Sequence, residues 1–430
     1  MKKIFSVLLW LLPVSMVAGI LDYRFHNYYW PGLNFFRVFP TKYMFDFSSV
    51  SEFFLLIVLI GYILLMIFSP EDRPKARWSW TFVPIILMAF GIVMAYSHFY
   101  GLDPRIKSFE DQVLTNYIGP ILAFLMLFFL FRGNPDWREK LEKSFLVTFT
   151  IFGGVILWEF FTDFLPGENV DWMGRLVWPY IDPFIGMKAE SANWLGFLFG
   201  PILLLGVVRF LKNRNWIYIL PVLVCAAVIL LSKSYTSILM VSGLVFIHLF
   251  FKFGRQTKKW VALGGLVGIL LLVATQYNTP KFQILIGQYD YSKPNSIERR
   301  IQIYKVNAEA FIDEWLVGIG PGNYQNYFRQ NMYQTLDAPI PEDELPPHPH
   351  NIALQFWSDL GIFGLAAILM MYLVTLWGVL APSASYYLVF AYPLAHGLID
   401  TPYGMEEASM MFWIALALAV TQVKEINKIN

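Results

Sequence analysis

Two histidines separated by one residue stand among prolines in the segment PPHPHN, just before a long apolar run. Prolines favour an extended chain, in which alternate side chains point to the same side. The imidazoles of His348 and His350 could therefore face one cavity. A histidine titrates near neutral pH, which suits it to act as a general base on a hydroxyl group. Asn351 would lie near the start of the following helix.

A histidine pair at this spacing also suits a metal ion, provided that a third ligand is available. Asp359, Asp400 or an acidic residue of the segment PEDE could supply that ligand. Two solvated loop histidines are a further alternative. The spacing alone does not specify a metal site, and we predict neither a metal nor another cofactor.

Four cationic residues are candidates for binding an anionic group. Arg299 and Arg300 begin a predicted helix, where neighbours point about 100° apart, so we expect one to face a site and the other to be solvated. Guanidinium groups suit phosphate because their donors form a planar fork. Lys233 stands near the outer end of a predicted span, where snorkelling to the interface is the alternative, and Arg175 stands in a predicted outer connection.

Two further segments carry weaker signals. Asp400 follows His396 by one helical turn near the outer end of another predicted span, and ionisable residues near membrane depth are functional candidates. The segment GIGPGNY ends a predicted helix, and its glycines favour a turn over a phosphate-binding loop.

The composition indicates that a bilayer surrounds most of the chain. Of 430 residues, 57% are hydrophobic and only 15% are charged, with a mean hydropathy of +0.51. Soluble domains carry about 25% charged residues. The net charge of +1 provides no field that would attract nucleic acid. The single cysteine, Cys225, excludes an intramolecular disulfide, and we expect it to be a buried or lipid-facing apolar residue.

The distribution of apolar residues predicts an all-α polytopic membrane protein with about 12 transmembrane helices, since a span needs roughly 20 apolar residues. The first segment could instead be a cleaved signal peptide, but it has no clear cleavage site and further spans follow it. The predicted spans are 4–20, 48–68, 79–98, 113–131, 142–163, 194–211, 215–232, 236–251, 259–275, 360–380, 384–399 and 407–423.

Basic residues in the short connections indicate the orientation. They alternate so that both termini are cytoplasmic, with basic residues in the inside loop near 70–79 and in the tail after 423. This orientation divides the chain into residues 1–275 with helices 1–9, an outer loop subdomain of 276–359 that carries the Arg and His motifs, and residues 360–430 with helices 10–12. We expect part of the outer loop to be helical, because apolar residues recur there every three to four positions. These residues are Ile301, Tyr304, Ala308, Phe311, Ile312 and Leu316.

The motifs together resemble the O-antigen ligase and polymerase family of bacterial envelope proteins. The pattern His350-Asn351, nine residues, and then Gly361-x-x-Gly364 is that of the O-antigen ligases. The segment RIQIYKVNAEAFIDEWLVGIGPGNY is similar to the family's arginine, aromatic residue, helix and Gly-rich turn, with Arg300 as the arginine. The segment SANWLGFLFGPILLL is similar to the family's span that contains an asparagine.

One segment departs from the family pattern. Family members often carry Ser-Arg at the outer end of the earlier span, whereas SKSYTS has Tyr235 in that position and Lys233 two residues before it. The second cationic contact of the family is therefore either supplied by Lys233 or missing.

The resemblance implies an inverting, metal-independent membrane glycosyltransferase at the periplasmic face of the bacterial inner membrane. Its donor would be a glycan on undecaprenyl pyrophosphate. Its acceptor would be a sugar hydroxyl, on lipid A–core for a ligase or on another repeat unit for a polymerase. His350 would be the base, and Arg300 would stabilise the leaving pyrophosphate. The residues expected to assist in binding substrates are Lys233, Arg175, Asn351, Arg299, His348 and Asp400.

Other functions are open at this point. A protein O-oligosaccharyltransferase would use the same chemistry. A transporter or flippase for an envelope lipid would also suit twelve spans, but transporters usually place ionisable residues at mid-membrane. Here the spans are nearly free of charge, apart from Glu159 near an outer end, and the polar residues gather in the outer loop.

Overall fold

The structure, a computed structural model, is mainly helical. It describes residues 1–24, 50–69, 80–99, 112–162, 175–177, 179–181, 188–190, 192–252, 255–278, 280–288, 296–380, 385–401, 403 and 406–421. Its helices are α1 Lys2–Arg24, α2 Val50–Phe68, α3 Phe82–Phe99, α4 Gly119–Gly133, α5 Pro135–Thr162, α6 Ala192–Asn213, α7 Ile219–Leu231, α8 Tyr235–Lys252, α9 Arg255–Gln276, α10 Pro280–Leu285, α11 Ser296–Asp313, α12 Tyr324–Thr335, α13 Ile352–Leu380, α14 Tyr387–Gly397 and α15 Glu406–Val420. A short antiparallel pair, β1 Pro179–Ile181 and β2 Lys188–Glu190, precedes α6.

Each segment that the sequence predicts to span a membrane coincides with one of these helices. Among the described residues, five helical segments are long and apolar enough to cross a bilayer. They are Leu114–Gly133, Pro135–Thr162, Ala192–Asn213, Tyr235–Lys252 and Ile352–Leu380. The class of helical membrane protein is therefore supported, while the number of twelve crossings stays a prediction. The charged segments 70–79 and 422–430, which contribute to the predicted orientation, lie outside the described residues.

The main apolar core is centred on α6, most of whose residues are buried. This helix packs against α7 and α14, and α4 packs against α15. Cys225 of α7 is buried in this core, in agreement with its interpretation as an apolar residue. Helix α6 runs through the centre of the bundle. Its first residues therefore lie close to the ends of several other helices.

The outer loop has a smaller core of its own, in which α11 packs against α12 and the first turns of α13. The predicted helix in this loop is confirmed as α11. Its inward face, however, carries Ile303 and Val306, each 1% exposed, whereas Ile301 is 51% and Ile312 is 70% exposed. The apolar residues that predicted the helix therefore lie mostly on the face that the subdomain core does not cover.

Helix α13 begins at Ile352, eight residues before the start of the predicted span. Asn351 accounts for this start, because its side-chain oxygen accepts hydrogen bonds from the backbone N–H groups of Ala353 at 2.9 Å and Leu354 at 3.1 Å. The helix is interrupted at Gly361, whose φ of 61° and ψ of −148° are not helical. A short first segment of the helix thus follows the histidines, and a longer segment continues into the bundle.

Candidate active site

The carboxylate of Asp400 joins residues from three other parts of the chain. His350 Nδ1, just before α13, lies 2.7 Å from Asp400 Oδ1. Arg300 of α11 places a guanidinium nitrogen 3.9 Å from Asp400 Oδ2, and the side-chain amide of Asn193 in α6 donates to the same oxygen. The site therefore lies where the outer subdomain meets the ends of α6, α13 and α14.

The contact with His350 orients the imidazole ring. Burial on its own raises the pKa of Asp400, but the charges of His350, Arg300 and His348 and the hydrogen bond of His350 bring that pKa well below its usual range. Asp400 is therefore an ionised acceptor at neutral pH. It favours the tautomer in which His350 Nδ1 carries the proton, which leaves Nε2 with a lone pair that can accept a proton from a substrate.

His350 has a strained backbone, with a φ of 53°. Non-glycine residues rarely adopt this left-handed conformation, and where they do, the surroundings must hold it. The backbone N–H of His350 donates to His348 Nδ1 at 3.2 Å, and the amide of Asn351 donates to the carbonyl of Leu398 at 2.8 Å. Asn351 therefore fixes the start of α13 next to the segment that carries Asp400.

His348 lies beside His350, with a distance of 4.4 Å between the ring centroids. Burial, followed by the charge of His350, lowers the pKa of His348 to about 3. A ring with this pKa stays neutral near pH 7 and accepts the hydrogen bond of the His350 backbone. The two histidines therefore differ in their surroundings, and the assignment of the base to His350 alone stays a prediction.

A chain of hydrogen bonds extends from Asp400 into the bundle. Asn193 Oδ1 accepts from Ser234 Oγ at 2.7 Å, and Ser234 Oγ lies 2.8 Å from Ser237 Oγ. Ser237 Oγ lies 3.2 Å from His396 Nε2, and His396 Nδ1 lies 3.0 Å from the backbone oxygen of Asp400. The chain closes into a ring, so that both the side chain and the backbone of Asp400 are held. One feature of the sequence indicated this ring, because polar residues occur inside apolar helices.

Lys233 and Arg175 lie at the edge of this ring. Lys233 precedes Ser234 and has a φ of 47°, a second strained non-glycine backbone near the site. The backbone N–H of Leu176 donates to the carbonyl of Leu231 at 2.9 Å, which brings the segment of Arg175 to the end of α7. The backbone therefore places both predicted cations close to the candidate site.

Of the two neighbouring arginines, Arg300 faces the site and Arg299 does not. The expectation that the second arginine is solvated is wrong, because Arg299 forms an ion pair with Glu344 and a hydrogen bond of 3.3 Å with Gln302. Glu344 precedes the Pro-rich approach to the histidines, so Arg299 holds that approach against α11. Arg300 Nε is buried and makes no hydrogen bond within the described part of the chain, which leaves donor capacity for an anion.

A comparison with known protein families finds a match for part of the chain. Residues 220–369, about a third of the sequence, match the family model of the O-antigen ligases. Over these residues the chain is similar to that family. The matched region contains Lys233, Arg300 and His350, whereas Arg175, Asn193 and Asp400 lie outside it. No curated protein matches the chain.

Within the matched region, two glycines connect α11 to α13. The backbone N–H of Ile319 donates to the carbonyl of Ser358 at 2.7 Å, and that of Ile362 donates to the carbonyl of Leu316 at 3.3 Å. A Cβ atom on Gly318, whose φ is 80°, would lie 2.6 Å from the oxygen of Ser358, and one on Gly361 would meet the oxygen of Leu316. Only glycine allows this close approach. The turn interpretation of GIGPGNY is thereby confirmed.

This backbone contact has a consequence for the site. It joins the end of the helix that carries Arg300 to the helix that begins after His350. The nine-residue spacing from His350-Asn351 to Gly361 therefore sets the distance along α13 between the base and the point where α11 is attached.

A metal ion has one candidate set of ligands among the described residues. The ligand atoms of His348, His350 and Asp400 all lie within 4.8 Å of one another. Asp359, which the sequence also suggested as a ligand, belongs to a different contact, because it accepts hydrogen bonds from Tyr117 at 2.6 Å and from Gln355 at 2.8 Å. Of the ligands that the sequence left open, the structure selects Asp400.

Proposed function

We propose that the protein transfers a glycan from a lipid-linked pyrophosphate donor to a sugar hydroxyl. The observation that carries this proposal is the pairing of His350 with Asp400 beside the guanidinium of Arg300, in a chain whose residues 220–369 are similar to the O-antigen ligases. A displacement at an anomeric carbon is assisted by a base for the attacking hydroxyl and by a cation for the leaving group. Here one carboxylate holds both groups. The family match favours glycan transfer over the transporter alternative.

The reaction proceeds by direct displacement. The acceptor hydroxyl gives its proton to His350 Nε2 while its oxygen forms a bond to the anomeric carbon. The bond between that carbon and the pyrophosphate oxygen breaks, and its electron pair leaves with the lipid pyrophosphate. Attack from the side opposite to the leaving group inverts the anomeric centre. No step requires a metal.

Charge develops on the leaving pyrophosphate, and Arg300 is the residue that stabilises it. Lys233 and Arg175 provide further positive charge at the edge of the site. Asp400 acts as a positioning residue for His350 rather than as a substrate ligand. Arg299 and Asn351 hold the approach segment and the helix start, and His348 supports the backbone of His350.

The site belongs to the periplasmic face of a multi-pass inner-membrane protein with cytoplasmic termini. Its donor is a glycan on undecaprenyl pyrophosphate, and its acceptor is lipid A–core. Polymerisation onto another repeat unit is the second candidate, and transfer to a protein hydroxyl is the third. The His350-Asn351 pattern, which fits the ligases, favours ligation.

The assignment of the base is tested by His350→Asn in purified membranes. Asparagine tolerates the left-handed backbone but cannot accept the proton, so we expect transfer to fall by about 10²–10⁴-fold. His98→Asn, an exposed substitution at the end of α3, is the matched control and should leave transfer unchanged. Undiminished transfer by His350→Asn would show that the assignment is wrong.

The glycan profile of a deletion strain distinguishes ligase from polymerase. Loss of long chains from lipid A–core, with polymer retained on its carrier, supports ligation. Single repeat units on lipid A–core indicate polymerisation instead. If EDTA abolishes transfer and zinc restores it, the cluster of His348, His350 and Asp400 is a metal site. Labelling of His348→Cys from the cytoplasmic side would refute the periplasmic site.

A further inference from the structure

Helix α11 has an apolar face that the outer subdomain leaves uncovered. Ile301 is 51% and Ile312 is 70% exposed, and the turn that follows the helix exposes Trp315 by 52% and Leu316 by 40%. Ala308 is also exposed and lies between the two isoleucines. Spacings of seven and four residues place Ile301, Ala308 and Ile312 on one stripe of the helix. We call these five residues the apolar track.

This track is separate from the face that holds the subdomain together. Ile303 and Val306, each 1% exposed, lie on the other side of α11 and pack into the core with Phe328 and Met332. The packing of the subdomain therefore does not account for the exposed residues. Large apolar side chains on a polar outer domain indicate a surface that meets another apolar molecule.

One end of the track adjoins the candidate active site. Ile301 follows Arg300, whose guanidinium lies 3.9 Å from Asp400. One turn later, the hydroxyl of Tyr304 lies near the side chain of Asn351, the neighbour of His350. The edge of α11 that carries Arg300 and Tyr304 thus faces the site, and the apolar stripe lies next to that edge.

The other end of the track reaches a membrane-spanning helix. The carbonyl of Trp315 accepts a hydrogen bond from Trp357 Nε1 at 3.4 Å, and that of Leu316 accepts one from the N–H of Ile362 at 3.3 Å. Both donors belong to α13. Twelve residues of helix separate Arg300 from Ile312, which corresponds to about 18 Å. The track therefore leads from the anion-binding arginine to the apolar bundle.

We infer that the apolar track binds the polyprenyl chain of the lipid-linked donor. This inference rests on the proposed function. A donor whose pyrophosphate lies at Arg300 must lead its hydrocarbon chain from a polar site into the bilayer, and water along that path would oppose binding. A row of exposed apolar side chains, interrupted by Lys305, leads from the arginine to a spanning helix and reduces this cost.

Binding is tested without catalysis by photo-crosslinking. A polyprenyl pyrophosphate with a diazirine in its chain is added to the full-length protein in nanodiscs of phosphatidylglycerol and phosphatidylethanolamine. We expect adducts within residues 301–316 that an excess of unlabelled polyprenyl pyrophosphate reduces at least fivefold. Absence of adducts in this segment, or equal competition by added phosphatidylglycerol, overturns the inference and indicates contact with bulk lipid only.

Kinetics with two donors tests the role of the track in the reaction. Ile312→Ser should raise KM about tenfold for a donor with a long polyprenyl chain, because one apolar contact is lost. It should change KM less than twofold for a donor with a short, water-soluble chain. Tyr333→Ser is the control, since Tyr333 of α12 is 63% exposed but lies outside the track. Equal effects of Ile312→Ser on both donors would overturn the inference.

The two experiments separate this inference from the proposed function. If the wild-type protein crosslinks through the track but transfers glycan from neither donor, polyprenyl binding stands and glycan transfer fails. If it transfers glycan from both donors with equal KM and forms no adducts in the track, glycan transfer stands and the track has no role in binding the donor.

Discussion

Two clusters of charged side chains lie at opposite ends of α6, and they are built from similar parts. One contains Asp400 with His350 and Arg300, reached through Asn193 at the start of the helix. The other contains Glu142, with Arg209 near the end of the helix. Sixteen residues of helix separate Asn193 from Arg209, a distance of about 24 Å.

The second cluster is closed. Glu142 has no exposed side-chain surface, and its carboxylate lies 2.7 Å from Arg138 Nε, pairs with Arg209 and accepts from the Tyr386 hydroxyl at 3.0 Å. The Arg138 guanidinium also lies 3.8 Å from the centre of the Tyr386 ring. The charged groups of this cluster pair with one another. Together with Tyr386 they connect α5, α6 and the start of α14.

The cluster around Asp400 is open by comparison. The side chains of His350 and Arg300 are 28% and 21% exposed, and Arg300 approaches Asp400 only to 3.9 Å. His350 is held in a strained backbone conformation that the Glu142 cluster does not show. Similar residue types thus form a structural clamp where they are enclosed in the bundle, and a candidate active site where a histidine and an arginine stay partly exposed.

The largest expected effect concerns the carboxylate of the open cluster. Asp400→Asn keeps the size of the side chain but no longer favours the His350 tautomer whose Nε2 can accept a proton. We expect transfer to fall about 10³-fold, while the apparent melting temperature changes by less than about 3 °C. Transfer assays and thermal unfolding in detergent measure the two quantities. Retention of transfer within tenfold of the wild type would contradict the positioning role.

Glu142→Gln should show the reverse pattern. It leaves Arg138 and Arg209 buried without a compensating charge, which costs about 3–5 kcal/mol of unfolding free energy. Turnover per folded molecule should stay within twofold, because the site at the other end of α6 is unchanged. Lost turnover at an unchanged melting temperature would show that the clamp takes part in the reaction.

Gly318→Ala tests whether the open cluster depends on the backbone contact between α11 and α13. The added methyl group would lie 2.6 Å from the oxygen of Ser358 and would shift Arg300 relative to His350. We expect transfer to fall at least tenfold, since small misplacements of catalytic groups have effects of about this size or larger. Gly287→Ala is the matched control, because Gly287 also has a positive φ, of 72°, but open space around it. Equal losses of transfer in both variants would show that backbone strain alone causes the effect.

The smallest effect is expected from His348→Gln. The pKa of His348 is about 3 in the folded protein and about 6.5 in an unfolded chain. Between these values the unfolded chain binds a proton that the folded protein does not, so the protein loses stability as the pH falls. Removing His348 should therefore reduce the fall in melting temperature between pH 6.5 and 4.5, while transfer at pH 7 stays within about threefold of the wild type. An unchanged pH dependence would show that folding does not lower the pKa of His348.

Local patterns in the sequence were enough to predict most of the helices. A run of about 20 apolar residues forms a helix in almost any apolar surrounding, because its backbone groups pair with one another. The turn at Gly318 and the helix start after Asn351 depend in the same way on a few adjacent residues. The orientation of the chain and the number of crossings stay predictions.

Long-range contacts were beyond such patterns. Asn193 reaches Asp400 across 207 positions of the chain, and Tyr304, Arg299 and Ile301 of α11 face different surroundings although they follow one helical pattern. Amphipathic periodicity indicates that a helix has an apolar stripe. Which molecule covers that stripe depends on how the helix packs.

The sequence by itself indicated a helical membrane protein with histidines and arginines in the segment 276–359, since composition and local spacing settle these features. Only the tertiary structure decided that Asp400 joins His350 to Arg300, that Arg299 braces the loop, and that α11 exposes an apolar track. These features arise from the ends of α6, α11, α13 and α14 meeting in space, and residues so far apart in the chain have no local pattern that records their contact.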